Sequence, residues 1–272
     1  MSRISETFAS LRDKGEKALV LFLTAGDPDL AVTEDLVVAL AEEGADIIEL
    51  GFPFSDPMAD GPTIQAASER ALKRGTTLAD VLGLVGRIRQ RTAVPIVLMG
   101  YYNPLFRYGL QRFAQDARSA GVDGLLVVDL PPEEAADLHF WLKREQVDLV
   151  TLLAPTTPPQ RMAELAAKGE GFLYFVSMTG VTGSREIDTG AIEKQVRELR
   201  RLSPVPVAVG FGIVTTEDVA AVAGFADGVV VGSALVKIIA SHGSSPHLTR
   251  EVRRFVHGLK EGTRLPEGLR SQ

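Results

Sequence analysis

The sequence predicts a closed (β/α)8 barrel, the TIM-barrel form of the α/β class, with residues 1–272 forming a single domain. Short continuous apolar runs alternate with segments whose apolar residues recur at three- and four-residue spacing, which is typical of buried parallel strands separated by helices. Eight such units fit a chain of 272 residues, and no linker interrupts them. The alternative is a doubly wound open sheet, but the turn after the first strand, Thr24–Pro28, lacks the expected GxGxxG pattern.

The eight predicted strands are apolar runs that are too short for helices. They are Ala18–Leu23, Ile47–Leu50, Pro95–Met99, Leu125–Val128, Leu149–Leu153, Phe172–Val176, Pro206–Val209 and Val229–Val231.

Helical periodicity fills the intervals between these strands. The predicted helices that follow the strands are Leu30–Glu43, Leu78–Arg91, Leu110–Ala120, Glu133–Arg144, Gln160–Lys168, Ala191–Leu202, Thr216–Ala223 and Leu248–Leu259. Three more are predicted outside this repeat: an N-terminal helix over Ile4–Lys14, one over Thr63–Lys73 after the second strand, and one over Ser233–Ile239 after the eighth. The residues beyond Gly258 are polar, and we expect this tail to fray.

A short motif recurs between helix and strand. Its copies are Gly44-Ala45-Asp46, Gly121-Val122-Asp123 and Phe225-Ala226-Asp227, and in each an aspartate immediately precedes an apolar strand. Recurrent units of this kind suit a fold assembled from repeated βα modules.

Composition and charge exclude several classes of partner. A net charge of −6 with scattered Lys and Arg argues against nucleic acid and leaves no basic patch for an anionic membrane. No apolar run approaches the length of a membrane span, and the N-terminus is charged where a signal peptide would be apolar. We therefore expect a cytoplasmic protein with no membrane contact. The absence of cysteine fits this expectation and removes thiol nucleophiles, disulfides and cysteine metal ligands.

Carboxylates cluster at the end of the second predicted strand. Glu49 lies within the apolar run itself, and the loop that follows carries Asp56 and Asp60. Burial raises the pKa of a carboxyl group toward the range useful for proton transfer, so Glu49 and the more solvated Asp60 form a candidate acid/base pair. The alternative is structural: a salt bridge would hold Glu49, and the two aspartates would only turn the loop.

Glycine-bearing turns follow the sixth, seventh and eighth predicted strands. They are Thr179–Ser184, Gly210–Ile213 and Gly232–Ala234. Glycine lets backbone N–H groups approach an anion, and a helix opening at Ser233 would direct its positive end to the same place. Barrel enzymes commonly bind phosphate in this way, so the turns together predict a phosphate site. Each glycine alone is better explained as a turn residue.

Several reactions lack the residues that they need. A Schiff-base aldolase requires a lysine at the C-terminal end of a strand, and the lysines fall on helices, at their ends or on the other side of a strand. The four histidines lie mid-helix or in the C-terminal region, which argues against a metal site and a Ser-His-Asp relay. Metal-free proton transfer by Glu49 and Asp60 remains, with Tyr174 as a candidate assistant.

Apolar residues near the strand ends are candidates for a pocket that holds an aromatic group. They are Phe22, Leu98, Met99, Leu126 and Phe211. Ordinary packing of the barrel core explains each of them equally well.

Four stretches resemble a known family. They are Leu21–Pro28 (LFLTAGDP), Glu49–Gln65 (ELGFPFSDPMADGPTIQ), Gly180–Gly183 (GVTG) and Gly210–Ile213 (GFGI). Together they resemble the tryptophan synthase alpha subunit family, and the likeness covers nearly the whole chain. The acid-bearing loop is highly specific to that family, whereas Ser184–Thr189 and the tail from Gly262 do not match its pattern.

The resemblance implies a (β/α)8 barrel that cleaves indole-3-glycerol phosphate to indole and glyceraldehyde 3-phosphate, a retro-aldol reaction. It implies no cofactor and no metal in this chain, and a PLP-dependent beta subunit that joins it in an α2β2 heterotetramer and receives the indole through a tunnel. The family's catalytic acids match Glu49 and Asp60. The expected mechanism has a partly protonated Glu49 shuttling a proton and an ionised Asp60 stabilising the charge on the ring.

The resemblance also assigns binding residues. Its ring contacts match Phe22, Leu126 and Phe211, its phosphate contacts match Gly183, Gly212, Gly232 and Ser233, and we add Tyr174, Thr182 and Gly210 from the same strands and turns. Positions near the partner subunit match Asp56, Asn103, Pro104 and Asp129.

Three alternatives remain open at this stage. A standalone indole-releasing lyase would work without the partner, and a catalytically silent barrel would only bind and activate it. A sugar-phosphate isomerase on a similar barrel would need no indole pocket. The presence of both acids argues against the silent barrel.

Overall fold

The computed structural model of the chain describes residues 2–176, 189–210 and 212–264. In this part of the chain, nine parallel strands form one sheet flanked by helices. The strands are β1 (Ala18–Thr24), β2 (Ile47–Gly51), β3 (Ile96–Gly100), β4 (Gly124–Val127), β5 (Asp148–Leu149), β6 (Thr151–Leu153), β7 (Leu173–Val176), β8 (Val207–Gly210) and β9 (Gly228–Val231).

Helices connect the strands and cover the outside of the sheet. They are α1 (Arg3–Lys14), α2 (Leu30–Glu42), α3 (Pro62–Lys73), α4 (Leu78–Ile88), α5 (Tyr102–Tyr108), α6 (Leu110–Ala120), α7 (Ala136–Arg144), α8 (Pro159–Ala166), α9 (Thr189–Leu202), α10 (Thr216–Ala223), α11 (Ser233–His242) and α12 (Leu248–Gly262). None of the helices in the described ranges is long and apolar enough to cross a membrane.

The strand order in the sheet is β5-β4-β3-β2-β1-β9-β8-β7-β6, so β1 lies at the centre with β2 and β9 as its parallel neighbours. The two edge strands, β5 and β6, are separated in the chain by Val150 alone. The described sheet is therefore a nearly closed parallel barrel, and the C-terminal ends of its strands meet at one mouth.

The described residues contain nine strands rather than the predicted eight, because the predicted fifth strand, Leu149–Leu153, is divided at Val150. The first part, β5, pairs with β4, and the second part, β6, pairs with β7. The regular ladder is interrupted where the pairing changes from one neighbour to the other. The sequence pattern shows a single apolar run and carries no sign of this change.

Helix α7 begins at Ala136, three residues later than predicted. Just before α7 the chain forms a turn in which the backbone N–H of Glu134 donates to the carbonyl of Pro131 at 2.9 Å. Proline favours such turns and lacks its own N–H, so periodicity alone placed the helix start too early. Helix α5 was not predicted, since its seven residues are too few to show a helical period.

The expected fraying after Gly258 is wrong for the residues that the structure describes there. Helix α12 continues to Gly262, and the next residue, Thr263, is fully buried. The carbonyl of Thr263 accepts a hydrogen bond from the backbone N–H of Lys17 at 3.1 Å, which joins this end of the chain to the start of β1. A contact so distant in sequence cannot be read from local polarity.

Side chains on each strand alternate between the barrel interior and the layer beneath the helices. On β2, Ile47 belongs to the interior cluster and Ile48 to the outer one, so Glu49 faces the interior. Leu98 belongs to the outer cluster, which removes it from the predicted pocket. Helix α1 packs Phe8 into the interior at the N-terminal ends of the strands, beside Gly228. A binding site is therefore expected at the opposite mouth, where the C-terminal ends of the strands meet.

The aspartates of the recurrent motif share one structural role at the N-terminal ends of the strands. Each accepts a hydrogen bond from the backbone N–H at or next to the start of an adjacent strand: Leu19 to Asp46 at 2.7 Å, Ile96 to Asp123 at 2.9 Å and Val207 to Asp227 at 3.1 Å. Each also forms an ion pair: Asp46 with Lys260 at 2.7 Å, Asp123 with Arg89 at 2.5 Å and Asp227 with Arg200 at 2.8 Å. These contacts stabilise the rim of the barrel opposite the mouth.

Candidate active site

Glu49 is the third residue of β2, and its side chain enters the barrel interior because it lies two residues after Ile47. It is 1% exposed, and its Oε1 has no hydrogen-bond partner among the described residues. Burial raises the pKa of Glu49 to about 8, so the carboxyl group is mainly protonated at neutral pH. The salt bridge considered from the sequence is not formed with any residue in the described ranges.

Asp60 ends the turn that follows β2, and its side chain lines a cleft at the barrel mouth. Burial raises the pKa of Asp60 to about 6, and a hydrogen bond with the Tyr101 hydroxyl opposes this shift. Asp60 is thus less solvated than the sequence led us to expect, although its carboxylate remains mostly ionised at neutral pH. The two acids therefore differ in protonation state near pH 7.

Tyr101 follows β3 directly and connects the Asp60 turn to the barrel. The hydroxyl of this buried residue accepts a hydrogen bond from the backbone N–H of Ala59 at 3.0 Å, and its ring packs against Phe54 at a centroid distance of 5.2 Å. Burial, followed by the negative charge of Asp60, raises the pKa of Tyr101. The hydroxyl therefore keeps its proton and can donate it in a hydrogen bond to the Asp60 carboxylate.

The cleft at the mouth has a volume of about 270 Å³, including space open to solvent. Its described lining combines apolar walls with a few polar groups: Phe22, Thr24, Gly51, Phe52, Asp60, Ile64, Ser68, Met99, Gly100, Tyr101 and Val128. A lining of this composition suits a planar apolar ring that carries one polar edge.

Glycines at the strand ends give two aromatic rings room to form walls of the cleft. A Cβ atom on Gly51 would lie 2.7 Å from the ring of Phe22, and a Cβ atom on Gly100 would lie 2.3 Å from the ring of Phe52. Each ring therefore rests directly on the backbone of a neighbouring strand. A larger residue at either glycine would displace the ring from this position.

Tyr174 and Leu126 lie in the barrel interior, and neither belongs to the described lining of the cleft. The Tyr174 hydroxyl lies over Gly210, where a Cβ atom would be 2.2 Å from it. Burial, followed by the charges of Glu49 and Asp60, raises the pKa of Tyr174 well above its usual value. The hydroxyl is therefore protonated and within electrostatic reach of both acids.

Gly232 and Ser233 lie beside β1, on the side opposite β2. They join β9 to helix α11, which begins at Ser233, and a Cβ atom on Gly232 would lie 3.4 Å from that of Phe22. Gly212, after β8, has a φ of 78°, in the left-handed region that favours glycine. The N-terminal end of α11, with its first-turn N–H groups, thus opens at the same mouth as the cleft.

Three of the expected contacts, Thr182, Gly183 and Phe211, lie outside the described residues. In the ranges that the structure does describe, no group of three or more His, Asp or Glu side chains is arranged to hold a metal ion.

The residues expected near a partner subunit lie on the surface at this end of the barrel. Asp56, Asn103 and Asp129 are exposed, and Pro104 is half-buried. Asp129 accepts a hydrogen bond from the backbone N–H of Tyr102 at 2.8 Å, at the start of α5.

Sequence reasoning missed Tyr101, Thr24 and Ser68 as residues of the cleft. For two of these residues, the alternation of side chains along a strand was a usable signal in the sequence. Thr24 and Tyr101 continue the interior alternation of β1 and β3, each two residues after an interior residue of its strand. Ser68 reaches the cleft from α3, and its position depends on how that helix packs.

Comparison with known proteins relates most of the chain to one family. A family model described as tryptophan synthase alpha chain matches residues 8–264. The tryptophan synthase alpha chain of Citrifermentans bemidjiense is 57% identical over 262 residues, which cover 96% of this chain and 98% of that relative.

Solved structures agree with the sequence relatives. The crystal structure of tryptophan synthase subunit alpha from Legionella pneumophila has a TM-score of 0.88 at 38% identity, covering 97% of this chain and 98% of the other. A chain of Mycobacterium tuberculosis tryptophan synthase has a TM-score of 0.89 at 38% identity, covering 97% and 99%, respectively.

Proposed function

Because this chain belongs to the tryptophan synthase alpha chain family, we propose that it cleaves indole-3-glycerol phosphate to indole and glyceraldehyde 3-phosphate. The observation that carries the proposal is the pair of acids supplied by β2 and the loop after it. Burial raises the pKa of Glu49 to about 8 and that of Asp60 to about 6. One acid is therefore ready to donate a proton near pH 7 while the other carries a negative charge.

The bond to be broken joins C3 of the indole ring to the first carbon of the glycerol phosphate chain. Glu49 donates its proton to C3, which leaves a positive charge on the ring, and the Asp60 carboxylate stabilises that charge by accepting a hydrogen bond from the ring N–H. The electron pair of the breaking C–C bond returns to the ring and restores its aromaticity. The Glu49 carboxylate then takes the proton of the adjacent hydroxyl group, which becomes the aldehyde, so Glu49 ends protonated as it began.

The remaining predicted residues would orient the substrate. Phe22, Leu126 and Phe211 would contact the ring, and Tyr174 would support the interior side of the site. The phosphate would bind at the turns after the last three strands, through Thr182, Gly183, Gly210, Gly212, Gly232 and Ser233. The opening of α11 at the mouth supports this assignment, because a helix N-terminus favours an anion.

We propose that the chain acts with a beta subunit in an α2β2 heterotetramer, and that PLP belongs to that partner while this chain needs no cofactor. Exposed Asp56 and Asp129, with neighbouring Asn103 and Pro104, would contribute to the contact. In the same loop as Asp56, Met58 is 92% exposed, which suits a residue that becomes buried in a complex.

We also propose that the whole chain forms a (β/α)8 barrel. If 148–153 is counted as one strand that changes neighbours at Val150, the barrel has the eight strands of the (β/α)8 class, and residues 1–272 form one domain. Helices α3 and α11 would then be the additional helices after the second and eighth strands. We place the enzyme in the cytoplasm, because its phosphorylated substrate does not cross membranes unaided.

The test is an indole-release assay with purified chain and indole-3-glycerol phosphate, with and without the beta subunit. We expect indole and glyceraldehyde 3-phosphate in equal amounts, and faster release when the beta subunit is added. Release that does not respond to the beta subunit would indicate a standalone lyase. No release in either condition, or turnover of triose or ribulose phosphates instead, would refute the proposal.

A further inference from the structure

The turn that carries Asp60 is held by few contacts of its own side chains, of which the hydrogen bond between the Asp60 carboxylate and the Tyr101 hydroxyl is one. It runs from Pro57 to Asp60 and is closed by a hydrogen bond from the Asp60 N–H to the Pro57 carbonyl at 3.1 Å. Met58 and Ala59, the residues between them, are both exposed. Because packing within the turn is slight, other groups must fix the position of the Asp60 carboxylate.

Gln65 reaches back from helix α3 to this turn. Its side-chain amide nitrogen donates to the carbonyl of Asp60 at 2.8 Å and approaches the carbonyl of Pro57 at 3.4 Å, so it contacts both ends of the turn. Its own backbone is fixed in the first helical turn by a hydrogen bond to the Gly61 carbonyl at 3.0 Å. Gly61, the residue at the helix N-cap, supplies no side-chain hydrogen bond of its own.

Helix α3, which carries Gln65, is anchored to the turn after β1. Arg70 on the same helix forms two hydrogen bonds of 2.7 Å with the buried carboxylate of Asp27, which lies in the turn after β1. On the other side of the Asp60 turn, the Tyr101 hydroxyl accepts from the Ala59 N–H. Polar groups from the barrel and from α3 therefore hold the turn between them.

We propose that Gln65 is a positioning residue for the reaction, acting through Asp60: its amide fixes the Asp60 main chain so that the carboxylate meets the N–H of the bound ring. The inference rests on the proposed function and deepens it. The Gln65 amide nitrogen has two carbonyl oxygens of the turn within hydrogen-bond distance, so a side chain of similar length without N–H groups loses the interaction while keeping its size.

The first measurement is the cleavage rate of Gln65→Met. We expect kcat/KM to fall by about tenfold to a hundredfold, since small displacements of a catalytic group have effects of this order. Gln195→Met is the matched control, because the Gln195 side chain also donates to a main-chain carbonyl, that of Pro155, at 3.1 Å. The control should retain the parent's kcat/KM.

The second measurement separates positioning from a merely structural role. Indolepropanol phosphate has a ring N–H for Asp60, and its benzofuran counterpart has an oxygen in that place. Gln65→Met should weaken binding of the indole ligand by about threefold or more, a fraction of one hydrogen bond to a charged group, and leave binding of the benzofuran ligand unchanged. In the Asp60→Ala background, Gln65→Met should have no effect on either ligand.

Equal weakening of both ligands, or the same weakening in the Asp60→Ala background, would overturn the proposal and leave Gln65 with a structural role. Parent-like kcat/KM in Gln65→Met would overturn it as well. If the parent chain releases indole normally in these cases, the proposed function stands while the role of Gln65 fails. If the parent itself neither binds indolepropanol phosphate nor releases indole, the proposed function fails and the role of Gln65 with it.

Discussion

Replacing Glu49 with glutamine is expected to lower kcat/KM for indole-3-glycerol phosphate by about 10³-fold, because glutamine can neither donate a proton to C3 nor accept one from the hydroxyl group. Asp60→Asn should cost about 10²- to 10³-fold, since it removes the negative charge that stabilises the protonated ring. Both changes preserve side-chain shape, so the fold should be unaffected. Indole release under steady-state conditions measures both effects.

The matched control is Glu69→Gln, which makes the same chemical change on α3 at a side chain that is 70% exposed. It should turn over substrate like the parent. The two active-site variants should still bind indolepropanol phosphate, which shows that the cleft is formed. Parent-like turnover by Glu49→Gln or by Asp60→Asn would remove that residue from the mechanism.

The same Glu49→Gln change is expected to stabilise the protein in alkaline solution. Below pH 4.5, the usual pKa, the Glu49 carboxyl is protonated in both the folded and the unfolded chain. Between that value and about 8, the unfolded chain releases the proton while burial keeps it on the folded chain, so stability falls as pH rises through this window. Glutamine has no proton to release. Above pH 8 the variant should therefore be more stable than the parent by roughly 3 to 5 kcal/mol, at about 1.4 kcal/mol per pH unit.

Urea unfolding at pH 5 and at pH 8.5 measures this effect as the difference in the free energy of unfolding between variant and parent. The difference should be small at pH 5 and large at pH 8.5, whereas Glu69→Gln should differ little from the parent at either pH. A pH-independent difference, or a variant that is less stable at pH 8.5, would show that Glu49 is not held protonated by burial.

Much of the fold could be predicted from the sequence because it depends on periodicity within short segments. The apolar runs mark the strands, and the position of Glu49 within one of them predicts a buried carboxyl group whose pKa is raised. The recurrence of Asp46, Asp123 and Asp227 before strands was visible as a motif, although its physical reason was not. The structure supplies that reason in the backbone N–H groups and cations that these carboxylates bind.

What could not be predicted depends on contacts between residues distant in sequence. The division of the fifth strand at Val150 arises from its two neighbours, and the burial of Thr263 arises from its contact with Lys17. Tyr101, which follows β3, and Gln65, which lies on α3, both contact the turn that carries Asp60. These contacts depend on how β3 and α3 pack, which the sequence does not show. Leu98 has the ordinary core packing that the sequence left open beside the pocket, because an apolar run alone does not say which residues face the barrel interior.

The central claim is that Glu49 and Asp60 act on opposite parts of one bound ring at the barrel mouth. A crystal structure of the chain with indolepropanol phosphate tests this most directly. We predict the ring between Phe22 and Phe211, its N–H at hydrogen-bond distance from the Asp60 carboxylate, the Glu49 carboxyl group close to C3, and the phosphate at Gly212 and Ser233. A ring bound outside the cleft, or one that meets only one of the two acids, would contradict the account.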